Sequence, residues 1–253
     1  MSKRQEIRQK RARQERTQQI MLIVGIVIVA AAIVGWIALS QQPVAGMVPP
    51  RLITVPQPNL NAAGDPNAPV KIIEYADFQC PFCMNFWRDT EAQVMDTYVK
   101  TGKVYFIYRS VGAFLGAGSA RAAEAAYCAG DQGKFWDMHD SLFTNQGPEN
   151  ANSLADNRIV AIAQQVSGLD MGAFNTCFTG GKYASKVTQD GADAQKDIPA
   201  GSNFAALIAA GQYSSQGIST PTFLVNGTII PGAAPFSDFQ KAIDAALTAA
   251  GKK

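Results

Sequence analysis

An unbroken apolar run, IMLIVGIVIVAAAIVGWIAL, occupies positions 20–39 of the chain and contains no charged residue. As a helix rising ~1.5 Å per residue, a run of this length spans ~30 Å, the thickness of a bilayer's hydrocarbon core. Trp36 lies near the end of the run, where an indole ring favours the membrane interface. The run therefore predicts a transmembrane anchor over residues 20–39.

The next stretch, residues 40–62, lacks this pattern and is rich in proline and glutamine. Proline restricts and extends the backbone, so the stretch predicts a semi-rigid linker in which Leu52–Val55 is a candidate short edge strand. We expect a single folded domain to follow over residues 63–250.

The first part of that domain alternates between strand and helix. Val70–Phe78 is a β-rich apolar run and predicts a buried strand. Pro81 stands at an early helical position, and apolar residues at helical spacing predict a helix over about 81–100. A second strand is predicted at Lys103–Arg109.

A long helical block follows before the chain returns to strands. Helices are predicted over about 118–130, 133–144, 155–166, 171–195 and 203–212. The sequence TPTFLVNGTIIPG predicts a β-hairpin with its turn at Asn226-Gly227, and a last helix is predicted over Phe236–Ala250. Strand–helix units interrupted by helices are typical of one α/β domain, here with a helical insertion over about 112–212.

Charge is distributed unevenly along the chain. The formal net charge is +2, yet residues 1–19 alone contain seven Lys or Arg against two Glu, so the remainder is mildly acidic. By the positive-inside rule the basic segment predicts a cytoplasmic tail, which places the domain after the anchor outside the cytoplasm. A cleaved signal peptide with a long basic region is the alternative. The acidic remainder argues against a nucleic-acid partner.

Two cysteines open the helix predicted after the first strand, in the sequence Cys80-Pro81-Phe82-Cys83. The N–H groups and dipole at a helix N-terminus stabilise a thiolate, which is the nucleophile of disulfide exchange. Cys80 is therefore the candidate exposed nucleophile, and Cys83, one turn further on and more buried, is the candidate resolving thiol. An inert disulfide and half of a zinc site are the alternatives, but the sequence offers no second ligand pair for zinc.

Three motifs, EYADFQCPFC, AAYCAGDQGKFWDMHDSLF and GISTPTFLVNG, follow one another along the chain. Together they resemble the DsbA-like branch of the thioredoxin superfamily over roughly residues 60–250. The resemblance implies a thioredoxin fold with an inserted helical subdomain. It also implies disulfide exchange with exported proteins through Cys80 and Cys83, with no cofactor besides this redox-active pair.

The resemblance assigns three further residues to the site. Pro221 matches the family's cis-proline, which packs against the redox pair, and Thr220 before it would tune the thiol pKa. Glu74 matches a buried acid beneath the disulfide. On a strand Glu74 shares a face with Ile72 and Ala76, so it should point inward, where a carboxyl can relay protons.

Two features depart from the family pattern. Phe82 stands where the best-known oxidases have histidine, and losing an imidazolium beside Cys80 removes one stabiliser of its thiolate. The disulfide should then be less oxidising. The segment 197–215 is longer than the usual connection before the cis-proline, and no role is assigned to it.

The other two cysteines, Cys128 and Cys177, lie in predicted helices of the insertion. We expect them to form a structural disulfide, which an oxidising compartment lets persist. Two free buried thiols, packing as small apolar residues, are the alternative. His139, the only histidine of the chain, is interpreted as a packing or surface residue of its helix.

Three functions are compatible with these residues. The leading one is a membrane-tethered oxidoreductase that forms or exchanges disulfides in exported proteins. A reductase or isomerase on the same scaffold is the second, and a non-redox chaperone or binding module is the third. By family analogy, the expected partners are thiol-containing clients and a membrane redox protein of DsbB-like or VKOR-like type.

Overall fold

The computed structural model describes residues 3–40, 47–148, 153–198 and 219–252. The chain divides into two compact units, Met1–Ala45 and Gly46–Lys253. The helix predicted over 203–212 and most of the segment 197–215 lie outside the described residues.

The first unit consists of one helix, α1, over Lys3–Ser40. Its apolar window, Gln18–Gly35, is long enough to cross a bilayer. A membrane anchor and a signal sequence share this length and composition, so the helix supports membrane targeting and leaves its orientation as a prediction.

The second unit is built on a five-stranded sheet with the order β1-β3-β2-β4-β5. The strands are β1 Ala62–Ala63, β2 Val70–Ala76, β3 Val104–Ser110, β4 Thr222–Val225 and β5 Thr228–Pro231. β2 and β3 are parallel, as a strand–helix–strand unit requires, and the other neighbouring strands are antiparallel. The predicted α/β class is confirmed, with the helical insertion between β3 and β4.

Strand β2 lies in the middle of the sheet and is covered on both faces. Alternate residues of a strand point to opposite faces. Val70, Ile72 and Ala76 belong to the larger apolar core, whereas Ile73 and Tyr75 belong to a smaller cluster. This packing on both faces holds the end of β2 in place, and residues 77–79 connect it to Cys80.

The helices of the second unit surround this sheet. Helix α2 begins at Pro81 and continues as α-helix over Pro81–Phe86, π-helix over Trp87–Glu91, α-helix over Ala92–Val94 and π-helix over Met95–Val99. The others are α3 Ala117–Gly130, α4 Phe135–Thr144, α5 Asp156–Ala163, α6 Met171–Thr179, α7 Ala184–Asp197 and α8 Phe236–Ala249. π-helical turns are rare and often occur at functional sites. The first one in α2, Trp87–Glu91, follows the turn that contains Cys83.

The hairpin prediction is confirmed. β4 and β5 pair antiparallel around Asn226 and Gly227, whose φ angles are 45° and 90°. Two successive residues with positive φ are typical of a type I′ turn, which asparagine and glycine accept at low cost.

Two predicted elements are wrong. The single helix over 171–195 is instead two helices, α6 and α7, because Gly180 and Gly181 separate them, and Gly181 has a left-handed φ of 63°. The candidate strand at Leu52–Val55 pairs with none of the described strands.

The linker prediction is also wrong for residues 47–62, which pack on the domain. The Val48 N–H donates to Asn145 Oδ1 at 2.8 Å, and the Asn145 amide donates back to the Val48 carbonyl at 3.0 Å. Side chains of this segment also contact the apolar core: Met47, Ile53, Val55 and Leu60. Burying such side chains is favourable, so the folded unit begins near Gly46 and not at residue 63.

Candidate active site

Cys80 and Cys83 lie where β2 gives way to α2. Cys80 is the N-cap of α2, and Pro81 occupies the first turn, where its missing N–H leaves no bond unmade. Both cysteines are free thiols. Cys80 is 4% exposed and Cys83 is 0% exposed, so the prediction of an exposed Cys80 is wrong.

The loop before β4 covers Cys80. The Thr220–Pro221 peptide bond is cis, and the Cys80 thiol donates to the Thr220 carbonyl oxygen at 3.3 Å. On the opposite side, the Asp77 N–H donates to Cys83 Sγ at 3.4 Å. The structure thus brings Pro221 and Thr220 to the redox pair from the far end of the chain.

The two thiols differ in acidity. A hydrogen bond from Cys83 lowers the pKa of Cys80 to about 7, against the effect of burial and with help from the Thr220 side chain and from the backbone N–H groups of Phe82 and Cys83. Burial raises the pKa of Cys83 well above its ordinary value, and donating to Cys80 raises it further. Cys80 is therefore the thiolate of the pair near neutral pH and Cys83 is the thiol, as nucleophile and resolving thiol require.

We expect alkylation of reduced Cys80 by iodoacetamide to rise with pH through a midpoint of about 7. Below this midpoint the sulfur is protonated and unreactive, whereas above it the thiolate reacts. The Cys83→Ala variant should shift the midpoint upward, because it removes the hydrogen bond that stabilises the thiolate. A wild-type midpoint at the ordinary thiol pKa would contradict a thiolate stabilised by the hydrogen bond from Cys83.

Glu74 lies on β2 with its side chain inside the domain and 1% exposed. Burial raises the pKa of Glu74 far above its ordinary value, and negative charge on Cys80 raises it further. Glu74 thus tends to hold its proton in the pH range where Cys80 begins to ionise. A neutral buried carboxyl beside the pair is able to exchange a proton with it.

Residues not identified from the sequence hold the loop around the pair. The Gln146 amide donates to the carbonyl oxygens of both Phe78 and Cys80 at 2.8 Å. The Asp77 carboxylate accepts from the Gln79 N–H at 2.7 Å and from the Leu115 N–H at 3.3 Å. Gln146 lies 66 residues from Cys80, so no local sequence signal marks it.

A groove of about 810 Å³ opens beside the redox pair. Phe82, 60% exposed, lines it together with the loop before β4 and the end of β5. The lining residues include Ser219, Thr220, Ile230, Pro231 and Gly232. The groove is open and partly apolar, and it offers backbone groups next to Thr220.

The remaining candidates lie away from the groove. Cys128 of α3 and Cys177 of α6 form a disulfide that closes a separation of 49 residues. His139 of α4 is fully buried, with its ring 5.6 Å from that of Phe78 and 5.3 Å from that of Tyr108.

The family model described as Thioredoxin matches residues 57–201. The match covers more than half of the chain and includes the redox pair. The chain belongs to the thioredoxin family.

The chain is also similar to several known proteins. The chain is 25% identical over 186 residues to Disulfide bond formation protein D of Bacillus subtilis, covering 73% of this chain and 75% of that protein. It is 31% identical over 165 residues to Na(+)/H(+) antiporter NhaA 3 of Salinispora tropica, covering 65% of this chain and 21% of the antiporter. The chain thus spans about a fifth of the length of that relative. The crystal structure of oxidised BdbD from Bacillus subtilis has the same fold, with a TM-score of 0.62, 23% identity and coverage of 78% of this chain and 100% of that one.

Proposed function

We propose that the protein is a membrane-tethered thiol–disulfide oxidoreductase that forms or exchanges disulfides in exported proteins. The asymmetry of the pair carries this proposal. The pKa of Cys80 is lowered to about 7, and that of Cys83 is raised by burial. An inert disulfide requires neither feature, nor a groove beside the reactive sulfur.

When the protein oxidises a client, a thiolate of the client attacks Cys80 Sγ of the Cys80–Cys83 disulfide. The Cys80–Cys83 bond breaks, and Cys83 leaves with the electron pair and takes up a proton. A second client thiolate then attacks the client sulfur of the mixed disulfide, and Cys80 leaves as a thiolate. The client loses two electrons, which the pair gains, and Glu74 is the buried acid that supplies the proton to Cys83.

The groove and the membrane helix support the choice of partners. An extended client segment can lie along the groove, with its sulfur next to Cys80 and its backbone next to Thr220. A membrane redox protein of DsbB-like or VKOR-like type would reoxidise the pair after each turnover. The N-terminus would remain in the cytoplasm and the second unit would face outward, as the basic residues 1–19 indicate.

The redox state of Cys80 and Cys83 in growing cells tests this proposal. Acid quenching followed by thiol labelling should find the pair mainly oxidised. After a pulse of reductant it should return to the oxidised state. A pair whose state never responds to the pulse would contradict redox function and favour the chaperone or binding module.

A reductase or isomerase is the second candidate, and Phe82 is the observation that favours it. Phe82 places an exposed phenyl ring in the active-site turn instead of an imidazolium that would stabilise the thiolate. A mainly reduced pair in unstressed cells would select this direction of electron flow.

We expect Phe82→His to make the disulfide more oxidising. A protonated imidazole next to Cys80 stabilises its thiolate, and with it the reduced form. The potential should rise by tens of millivolts, since about 30 mV corresponds to about 1.4 kcal/mol for this two-electron couple. Equilibration with a glutathione buffer measures the shift, and Phe82→Leu is the control without a charge. Equal potentials for the two variants would contradict the argument.

A further inference from the structure

Three titratable side chains from different elements meet in the core on the Glu74 side of β2. They are Glu74 of β2, Glu91 of α2 and His139 of α4, which are 1%, 0% and 0% exposed. One potential ligand atom from each lies within 4.8 Å of the others. Among the described residues, Glu74 Oε2, both Glu91 carboxyl oxygens and His139 Nε2 have no hydrogen-bond partner.

The surroundings of this cluster are apolar. The His139 ring lies 4.9 Å from the ring of Phe143 and 5.1 Å from that of Trp136. Two ionised carboxylates side by side in such a place would be strongly destabilising. Burial raises the pKa of Glu91 well above its ordinary value, and the neighbouring Glu74 adds to this. At least one of the two carboxyl groups, Glu74 or Glu91, is therefore expected to remain protonated.

His139 is oriented by Asp140. Its Nδ1 lies 3.0 Å from Asp140 Oδ1, and the Asp140 carboxylate also accepts from Trp87 Nε1 at 2.8 Å and from the Ile53 N–H at 2.6 Å. This acceptor places a hydrogen on Nδ1 and directs Nε2 toward Glu91. Nε2 lies 3.9 Å from Glu91 Oε2, and a shift of about 1 Å would bring the two atoms within hydrogen-bond distance.

Other titratable groups face the cluster and must be considered with it. Glu74 interacts electrostatically with both thiols of the redox pair. The remaining groups are Asp140 of α4, Tyr108 of β3 and Asp77 of the loop after β2. Tyr108 is fully buried, and burial together with Glu74 raises its pKa well above the ordinary value. The protons that can exchange during the reaction thus belong to Glu74, Glu91 and the thiols.

We propose that Glu91 exchanges a proton with Glu74 during the redox reaction, and that His139 is a positioning residue that holds the Glu91 carboxyl through Nε2. This inference rests on the proposed function, in which Cys83 leaves with an electron pair and needs a proton. The Glu74 carboxyl gives its proton to Cys83 Sγ, and a proton from the Glu91 carboxyl replaces it. The cluster is then one proton poorer until solvent returns one, and oxidation of the pair reverses each transfer.

The variants Glu91→Gln, which keeps the shape of the side chain, and His139→Gln, which removes the imidazole, test this role in the full chain purified in detergent. Reduction by dithiothreitol should be roughly tenfold slower in both, less than the loss expected when a direct general acid is removed. The pH dependence of the reduction potential should change shape in both variants, because Glu91→Gln removes a proton-exchanging group and His139→Gln removes the acceptor that positions it. Glu124→Gln is the matched control, since Glu124 is also buried but is paired with Arg121. Its rate and pH curve should match the wild type.

An infrared difference spectrum of the wild type needs no variant and covers the case in which a variant does not fold. Reduced-minus-oxidised spectra should contain the stretch of a protonated carboxyl, and this band should shift in any folded Glu91→Gln protein. The absence of a carboxyl band from the wild-type difference spectrum would overturn the proposal.

The experiments distinguish this inference from the proposed function, because reduction by dithiothreitol follows the proton transfer without requiring a client protein. Failure of client exchange with altered pH curves in Glu91→Gln and His139→Gln would reject only the proposed function. Normal client exchange with pH curves that superimpose on the wild type would overturn the proton role. A stoichiometric divalent metal, copurified with the wild type and lost from His139→Gln, would also overturn it, because the carboxylates would then be metal ligands.

Discussion

Replacing Cys83 with alanine is expected to trap client proteins as covalent adducts of Cys80. The client thiolate and Cys80 still form a mixed disulfide, but the thiol that resolves it is gone. Cys80 keeps its place at the N-terminus of α2 beside the groove, so it still reacts. Non-reducing gels of cells that produce Cys83→Ala should show adducts of high mass that disappear on adding a reductant.

The matched variant Cys80→Ala should give no adducts. The remaining sulfur, Cys83, is fully buried, and burial raises its pKa. Adducts in Cys80→Ala and none in Cys83→Ala would reverse the assigned roles. The absence of adducts from both variants would contradict a redox function.

Removing the Cys128–Cys177 disulfide is expected to lower the free energy of unfolding by several kcal/mol. On the chain-entropy model, closing a loop of this separation, 49 residues, stabilises the fold by about 4 kcal/mol. For a domain of this size the double variant Cys128→Ala/Cys177→Ala should melt roughly 10 °C lower. Thermal unfolding followed by circular dichroism measures the shift.

Exchange activity at a temperature below the transition should be unchanged in the double variant. The disulfide joins α3 to α6 within the insertion, whereas the redox pair lies at the junction of β2 and α2. The control is wild-type protein in which both pairs, Cys80/Cys83 and Cys128/Cys177, are reduced. It shows the effect of opening the Cys128–Cys177 bond without a substitution. A double variant as stable as the oxidised wild type would contradict a structural role.

Local sequence signals predicted the parts of the fold that depend on neighbouring residues. The hairpin at Asn226-Gly227 follows from two residues that tolerate positive φ. The Cys80-Pro81-Phe82-Cys83 motif likewise depends only on a strand that ends at Ala76 and on a helix whose N-cap is Cys80.

Contacts between distant residues account for the failures. The prediction of an exposed Cys80 assigned Thr220 to the site but did not anticipate that its carbonyl oxygen, 140 residues away, would cover the thiol. Residues 47–62 were predicted as a linker because their prolines suggest extended chain, yet Ile53 bonds to Asp140 across 87 residues. The cluster of Glu91 and His139 was missed for the same reason, since a glutamate in a helix reads as a solvated charge until its packing is known.

Transfer of a disulfide from the oxidised full-length protein to a reduced peptide with two cysteines tests the central claim most directly. Mass spectrometry should find one peptide disulfide formed for each Cys80–Cys83 disulfide lost, with Cys128–Cys177 intact. The same mixture with Cys80→Ala should form no peptide disulfide above the background of air oxidation. Peptide oxidation without loss of the Cys80–Cys83 disulfide, or at the same rate in Cys80→Ala, would contradict disulfide exchange through this pair.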